Sequence, residues 1–220
     1  MRDMNLIEIL YKLILPALFD TMKMLLISTI LSLIFGCIVA IVLIATEENG
    51  LRPNSCVHKV LDVIVNIIRS FPFIILIVAI IPFTRFFVGT SIGIKGAIVP
   101  LTIASTPFMA RVIEGSLKEV DKSLIEAAKS FGASDMQIIF KVMFIEAIPS
   151  IISGICLGIV SLLGATAMAG AVGAGGLGAV AITYGHQSFN DKVMYSVVVV
   201  LIILVQCIQV MGNFLYNKLK

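Results

Sequence analysis

Apolar residues gather in long blocks along this chain, and polar residues gather between them. Met24 to Ala45 carries no charge, and about 20 apolar residues are enough for a helix to cross the hydrocarbon of a bilayer. The pattern predicts spanning helices at roughly 24–45, 60–82, 93–111, 148–172 and 193–216. Residues 1–20 are patterned differently. Leu6, Ile7, Leu10, Leu13, Ile14, Ala17 and Leu18 recur at helical spacing, but Glu8, Lys12 and Asp20 intrude. That stretch is expected to lie in the interface, with Pro16 interrupting any continuous helix.

The second block opens with polar residues. Asp62, Asn66 and Arg69 fall four and three apart, on one helix face. Either they reach the headgroups, snorkelling or pairing with neighbours, or they line a water-filled path or a subunit contact. Pro72 is expected to kink that helix, and 81–93 reads as an exterior loop. Pro100 and Pro107 fall inside the third block. They fit a bent helix against a cavity or plain helix packing, since neighbours can satisfy the freed carbonyls. Ala147 to Asn190 contains no Asp, Glu, Lys or Arg. Its Gly-rich second half, ending in Thr183, Tyr184, His186 and Gln187, is expected to be a loop or re-entrant segment rather than a further span.

The one long polar interval lies between the third and fourth blocks, at 112–147. Ser123-x-x-Glu126 and Ser134-x-x-Gln137 both have the spacing of a capping box. Gly132 suits a helix end, and Leu124, Ala128 and Phe131 fall on one face. Two short helices meeting at Gly132-Ala133 are therefore expected. About 35 residues is far more than two neighbouring helices need to be joined, so the interval is read as a docking element.

Composition agrees with a membrane location. Hydrophobic residues make up 59% of the 220 and charged ones only 13%, about half the usual charged share, and mean hydropathy is +1.10. A net charge of +3 makes no case for nucleic acid. With five spans and the N-terminus outside, the interior receives Arg52, Lys59, Arg69, Arg111, Lys118, Lys122, Lys129, Lys141, Lys218 and Lys220. The exterior keeps Arg2, Lys12, Lys23, Arg85, Lys95 and Lys192. That bias favours N-out, C-in and a cytoplasmic polar interval.

Other chemistry is sparse. The four cysteines form no Cys-x-x-Cys pair, and no disulfide framework or metal site is expected. His58 and His186 fall on opposite sides in this topology. Gly173-x-Gly175-x-x-Gly178 has the form of a dinucleotide fingerprint, but it lacks the strand and βαβ context that would give it meaning. There is neither a P-loop nor a catalytic constellation, so the chain is read as non-enzymatic. Between Gly164 and Gly178 small residues dominate, which fits close helix approach or a flexible segment at a pore's outer end. Met168 is the bulky exception, and Met168 and Gly170, with Asn66 and Arg69, are the candidates for a translocation path and gate.

Glu126-Ala127-Ala128-x-x-x-Gly132-Ala133 resembles the EAA loop of ABC-importer permeases. The family's later Ile-x-Leu-Pro is replaced by Val142-Met143-Phe144-Ile145, whereas Pro149 matches a later proline common there. Arg69-Ser70-Phe71-Pro72-Phe73, Ile81-Pro82-Phe83-Thr84-Arg85, Val88-Gly89-Thr90-Ser91-Ile92-Gly93, Pro107-Phe108-Met109-Ala110-Arg111 and the run Ala167 to Gly178 resemble the methionine-import branch. The likeness extends from about Asp20 to the last span. It implies an all-α integral membrane permease of five spans with a cytoplasmic coupling loop, in a bacterial cytoplasmic (inner) membrane. It further implies a homodimer, two ATPase subunits that bind the ATP, and a binding protein or lipoprotein on the outer face, with D- and L-methionine as cargo. Glu126, Ala127, Ala128, Phe131, Gly132 and Ala133 would form the coupling helix, with Glu126 acting as a cap, as a contact, or as both. The rival readings are another amino acid or small metabolite, an ion-driven secondary transporter, and a membrane enzyme.

Overall fold

The computed structural model describes residues 5–219, and no strand occurs among them. Helix α1 starts at Leu6, passes through a π turn at Leu10–Ile14, and continues as Leu15–Thr46. The expected interfacial segment is thus the first part of this long helix; Met1 to Met4 of it lie outside the described residues. Pro16 does not break the helix, because the chain widens just before it. Leu15 N–H reaches back five residues to the Leu10 carbonyl, and the wider turn makes room for the proline ring.

The second block is not one straight span. Helix α2 (Ser55–Ser70) ends at Phe71-Pro72, and α3 (Phe73–Ala79) leaves at 105° to it. Pro72 lacks an N–H and disfavours a helical residue before it, and Phe71 is accordingly extended at φ −76°, ψ 130°. What the sequence presents as an exterior loop from residue 81 is helix α4 (Ile81–Val88), closed by Gly89 at φ +75°.

Two helices are longer than their apolar blocks. Helix α5 (Gly93–Lys118) outlasts the expected end at 111, and α7 runs from Asp135 to Ala171 with a π turn at Ile138–Met143. Most of the interval 112–147 is therefore helical, because polar residues at a span's end can continue a helix into water. Between α5 and α7 lies helix α6 (Lys122–Ser130). The Gly-rich segment folds as a short helix, α8 (Gly176–Val180), which passes into a π turn at Ala181–His186. Helix α9 (Asp191–Leu219) follows. Among the described residues four helices are long and apolar enough to cross a membrane, and the bent α2–α3 pair makes a fifth, broken span.

Helices α1 and α5 form the centre. Ser28, Ser32, Gly36 and Ala40 lie four apart on α1 and are all buried, and Gly36 sits directly against α5. A Cβ on Gly36 would sit 2.8 Å from Met109 Cβ and 3.1 Å from Ala110 N. Lipid tails are as apolar as leucine, so close backbone approach, rather than escape from water, holds such helices together. Two further contacts place the ends. Gly93 N–H donates to the Gly173 carbonyl (2.9 Å), and Thr21 Oγ1 accepts from Leu177 N (2.9 Å). The start of α5 and the end of α7 therefore share one side of the membrane. Ile44, Ile113, Leu117, Ile138, Ile139 and Met143 pack together at the other.

Candidate functional site

At that second end the chain builds a rigid projection. Helix α6 is capped by Asp121, whose carboxylate accepts from Ser123 N at 2.8 Å. Ser123 is thus the second helical residue, and the capping box expected at Ser123–Glu126 does not form. Asp121 offers a carboxylate where Ser123 offers a hydroxyl, and the backbone N–H of Ser123 holds that carboxyl below its ordinary pKa. Buried Val120, just ahead of the cap, and Ile125 pack on the same cluster, a hydrophobic staple that fixes how the helix leaves α5.

The other end of α6 closes with equal definition. Ala133 N–H donates to the Ala128 carbonyl (3.0 Å) and Gly132 N–H to the Lys129 carbonyl (2.9 Å). That pair of bonds is a Schellman ending, which requires a left-handed residue, and Gly132 has φ +76°. Ser134 then forms the expected capping box with Gln137, both bonds being present. What it opens is not a second short helix but α7. Ion pairs seat the projection on its neighbours: Arg52 Nε lies 2.6 Å from Asp135 and Lys118 Nζ 2.8 Å from Glu47.

The two faces of α6 differ. Ile125 and Ala128 lean inward with Ala133, whereas Leu124, Ala127 and Gly132 are exposed and Phe131 is 92% exposed. The expected shared face of Leu124, Ala128 and Phe131 is therefore divided between solvent and core. Glu126 is no cap. It lines a 530 Å³ cavity between α6 and the turn after α1, together with Glu47, Lys118, Lys122 and Lys129. Val142 to Ile145, where the Leu-Pro pair is missing, lie within the unbroken α7, and Met143 is buried in the cluster.

The four path candidates occupy different places. Asn66 donates to Asp62 (3.0 Å) and accepts from Arg111 (3.1 Å), which also pairs with Asp62. Arg111 reaches Glu114 at 2.8 Å, and Lys118 Nζ stands 3.0 Å from the other oxygen of Glu114. This chain of charges tying α2 to α5 ends at Glu47. Its hub, Glu114, has a side chain only 4% exposed and meets Arg111 and Lys118 at helical spacing on its own helix, whereas the link to Asp62 was not legible, since nothing in sequence places α2 beside α5. Asp62 thus resolves to pairing.

Arg69 is exposed in the last turn of α2. It lines a 280 Å³ cavity with Ser105 and Phe108 of α5 and Ser161 of α7. Ser105 is about 18 Å from the start of α5 and about 20 Å from its end at 1.5 Å per residue, so the cavity lies beside the middle of that helix. Met168 is half exposed on the face of α7 that also carries Ser161 and Ala165. Gly170 is a packing position: a Cβ there would sit 2.4 Å from Ala179 N of α8.

Residues 38–220 match the family described as the binding-protein-dependent transport system inner membrane component. The chain belongs to that family. Among its relatives is the probable D-methionine transport system permease protein MetI of Vibrio cholerae, 45% identical over 206 residues covering 94% of this chain and 92% of that one. The methionine import system permease protein MetP of Bacillus subtilis is 46% identical over 175 residues, covering 80% and 79%. In three dimensions the chain superimposes with a TM-score of 0.93 on an inward-facing MetNI methionine ABC transporter chain. The two are 41% identical, and the match covers 94% of this chain and 96% of that one. As an inner-membrane component of a binding-protein-dependent system, the chain is a multi-pass transport subunit.

Proposed function

We propose that this chain is the permease subunit of an ATP-driven methionine importer, working as a homodimer with two ATPase subunits and an outer-face binding protein. The observation that carries the proposal is α6: a short helix capped at both ends that presents Phe131 to water outside every span. An exposed aromatic on a preformed projection is what a partner's groove would take. The relatives, a probable D-methionine permease and a methionine import permease, point to methionine as the cargo, and we take both D- and L-forms to be carried. ATP is bound by the partner ATPase, with no cofactor on this chain.

In this reading the N-terminus is outside and α6 is cytoplasmic, as the lysine and arginine distribution favours. ATP binding draws the ATPases together, the docked α6 helices follow, and the pathway changes from inward- to outward-facing. Glu126, Ala127, Ala128, Phe131, Gly132 and Ala133 form the coupling element, with Ala128 and Ala133 seating it and Phe131 and Ala127 facing the partner. Arg69 and Met168 line the path. Asn66 belongs to the charge network beside it, and Gly170 holds α8 against α7.

The test is uptake of labelled methionine by vesicles holding permease, ATPase and binding protein, with and without ATP. ATP-dependent uptake is expected from the wild type. Gly132→Trp should insert but fail to co-purify with the ATPase. Normal co-purification and uptake by that variant would refute the docking role.

A further inference from the structure

Arg69, exposed in the last turn of α2, lines the cavity between α5 and α7, and among the described residues it has no ion-pair partner. The charges nearby on α2 and α5 are paired: Asp62 with Arg111, and Glu114 with Arg111 and Lys118. An exposed guanidinium with no carboxylate of its own is free to take an anion. The cavity around it is two-sided in chemistry. Ser105 and Ser161 contribute hydroxyls, and Phe71, Phe108 and Leu162 contribute apolar surface. Its 280 Å³ is near the lower limit of small-molecule pockets.

From this we infer that the cavity is a carboxylate-recognition point for the cargo. The Arg69 guanidinium takes the α-carboxylate, and the aromatic and leucine walls take an uncharged side chain. Arginine suits the task because its planar donors match a carboxylate two-on-two. No described acidic residue lines the cavity, so the ammonium group would be left to water. Binding is accordingly weak, which suits a waypoint: a cargo held too firmly there would not leave. Ser161, Ala165 and Met168 fall along one stripe of α7, so the waypoint and the methionine share a line toward the Gly93 side of the protein. The inference rests on the transport reading above and adds a specific contact to it.

The experiment uses the whole complex with its binding protein in vesicles, reading methionine uptake and ATP hydrolysis together. Loss of one charged hydrogen-bond partner should lower uptake per ATP hydrolysed by about 10- to 100-fold in Arg69→Gln. Arg69→Lys should retain part of the uptake, since the charge stays but the paired donors do not. Arg69→Cys separates charge from shape: a cationic aminoethyl thiosulfonate should restore uptake, whereas the neutral methyl reagent should not. Wild-type vesicles treated alike control for the four native cysteines. Equal uptake per ATP in Arg69→Gln, or equal rescue by both reagents, overturns the inference while leaving methionine import standing. Absence of ATP-dependent methionine uptake in the wild type overturns the transport reading and this inference with it.

Discussion

Phe131 offers the most direct measurement of what α6 does. Its ring is 92% exposed and makes no core contact, so truncation should leave the fold unchanged. A phenylalanine carries about 150–250 Å² of surface. At about 25 cal/mol per Å² full coverage by a groove would contribute roughly 4–6 kcal/mol. A helix tip set into a groove is covered on part of its surface, and alanine keeps the Cβ, so about half of that, roughly 2–3 kcal/mol, should be lost on Phe131→Ala. That corresponds to a Kd for the ATPase weakened about 30- to 150-fold. Titrating labelled ATPase onto permease in lipid nanodiscs reads this directly, with Phe131→Leu expected to keep most of the affinity. An unchanged Kd in Phe131→Ala, with melting also unchanged, would mean that the partner does not cover this residue.

Other expectations concern the frame. Gly36→Leu should separate α1 from α5 and lower stability by about 1–3 kcal/mol in detergent unfolding, because Met109 Cβ is 2.8 Å from the added carbon. Gly164→Ala, with nothing within 4 Å of its Cβ, should be tolerated. Glu114→Ala removes one partner from Arg111 and Lys118, which keep Asp62 and Glu47, and should cost about 1–3 kcal/mol in the same unfolding assay. For Asp121 the sign follows from a depressed carboxyl pKa. Its capping of α6 is complete above the ordinary aspartate value and fades as pH falls through the lower folded value. The protection of the Ser123 amide, the slowing of its exchange relative to an unstructured amide at the same pH, should fall in acid, and at neutral pH it should be low in Asp121→Ala but kept in Asp121→Asn.

Much of this architecture was legible in order and little of it in depth. Charge-free blocks located the spans, and Ser134, Gln137 and Gly132 announced their local geometry because caps and left-handed turns are decided within a few residues. Pro72 announced a kink, though not a 105° break. Pro16 misled, because a π turn next to it absorbs the ring. Ser123 misled for a simpler reason: Asp121, two residues earlier, is the stronger acceptor. The pairing of Asp62 with Arg111 and the cavity that Arg69 lines between α5 and α7 needed the tertiary arrangement. Hydropathy places a charge along a helix, whereas its surroundings depend on which helix lies beside it. The Ser28-Ser32-Gly36-Ala40 stripe was available in the sequence all along. Its four-residue repeat of small side chains is a signal that average hydropathy hides.

Helix α7 joins two places that function would need to connect. It starts at Asp135, clamped by Arg52 beside α6, and runs unbroken past Met168 to Ala171. From Asp135 to Met168 is about 50 Å along the axis at 1.5 Å per residue. A rod of that length is a lever arm: tilting it by about 5° at the base carries the far end about 4 Å, roughly the width of a methylene chain. Small rotations where α6 is held could therefore open or shut a passage on the opposite face, with no element between them having to refold.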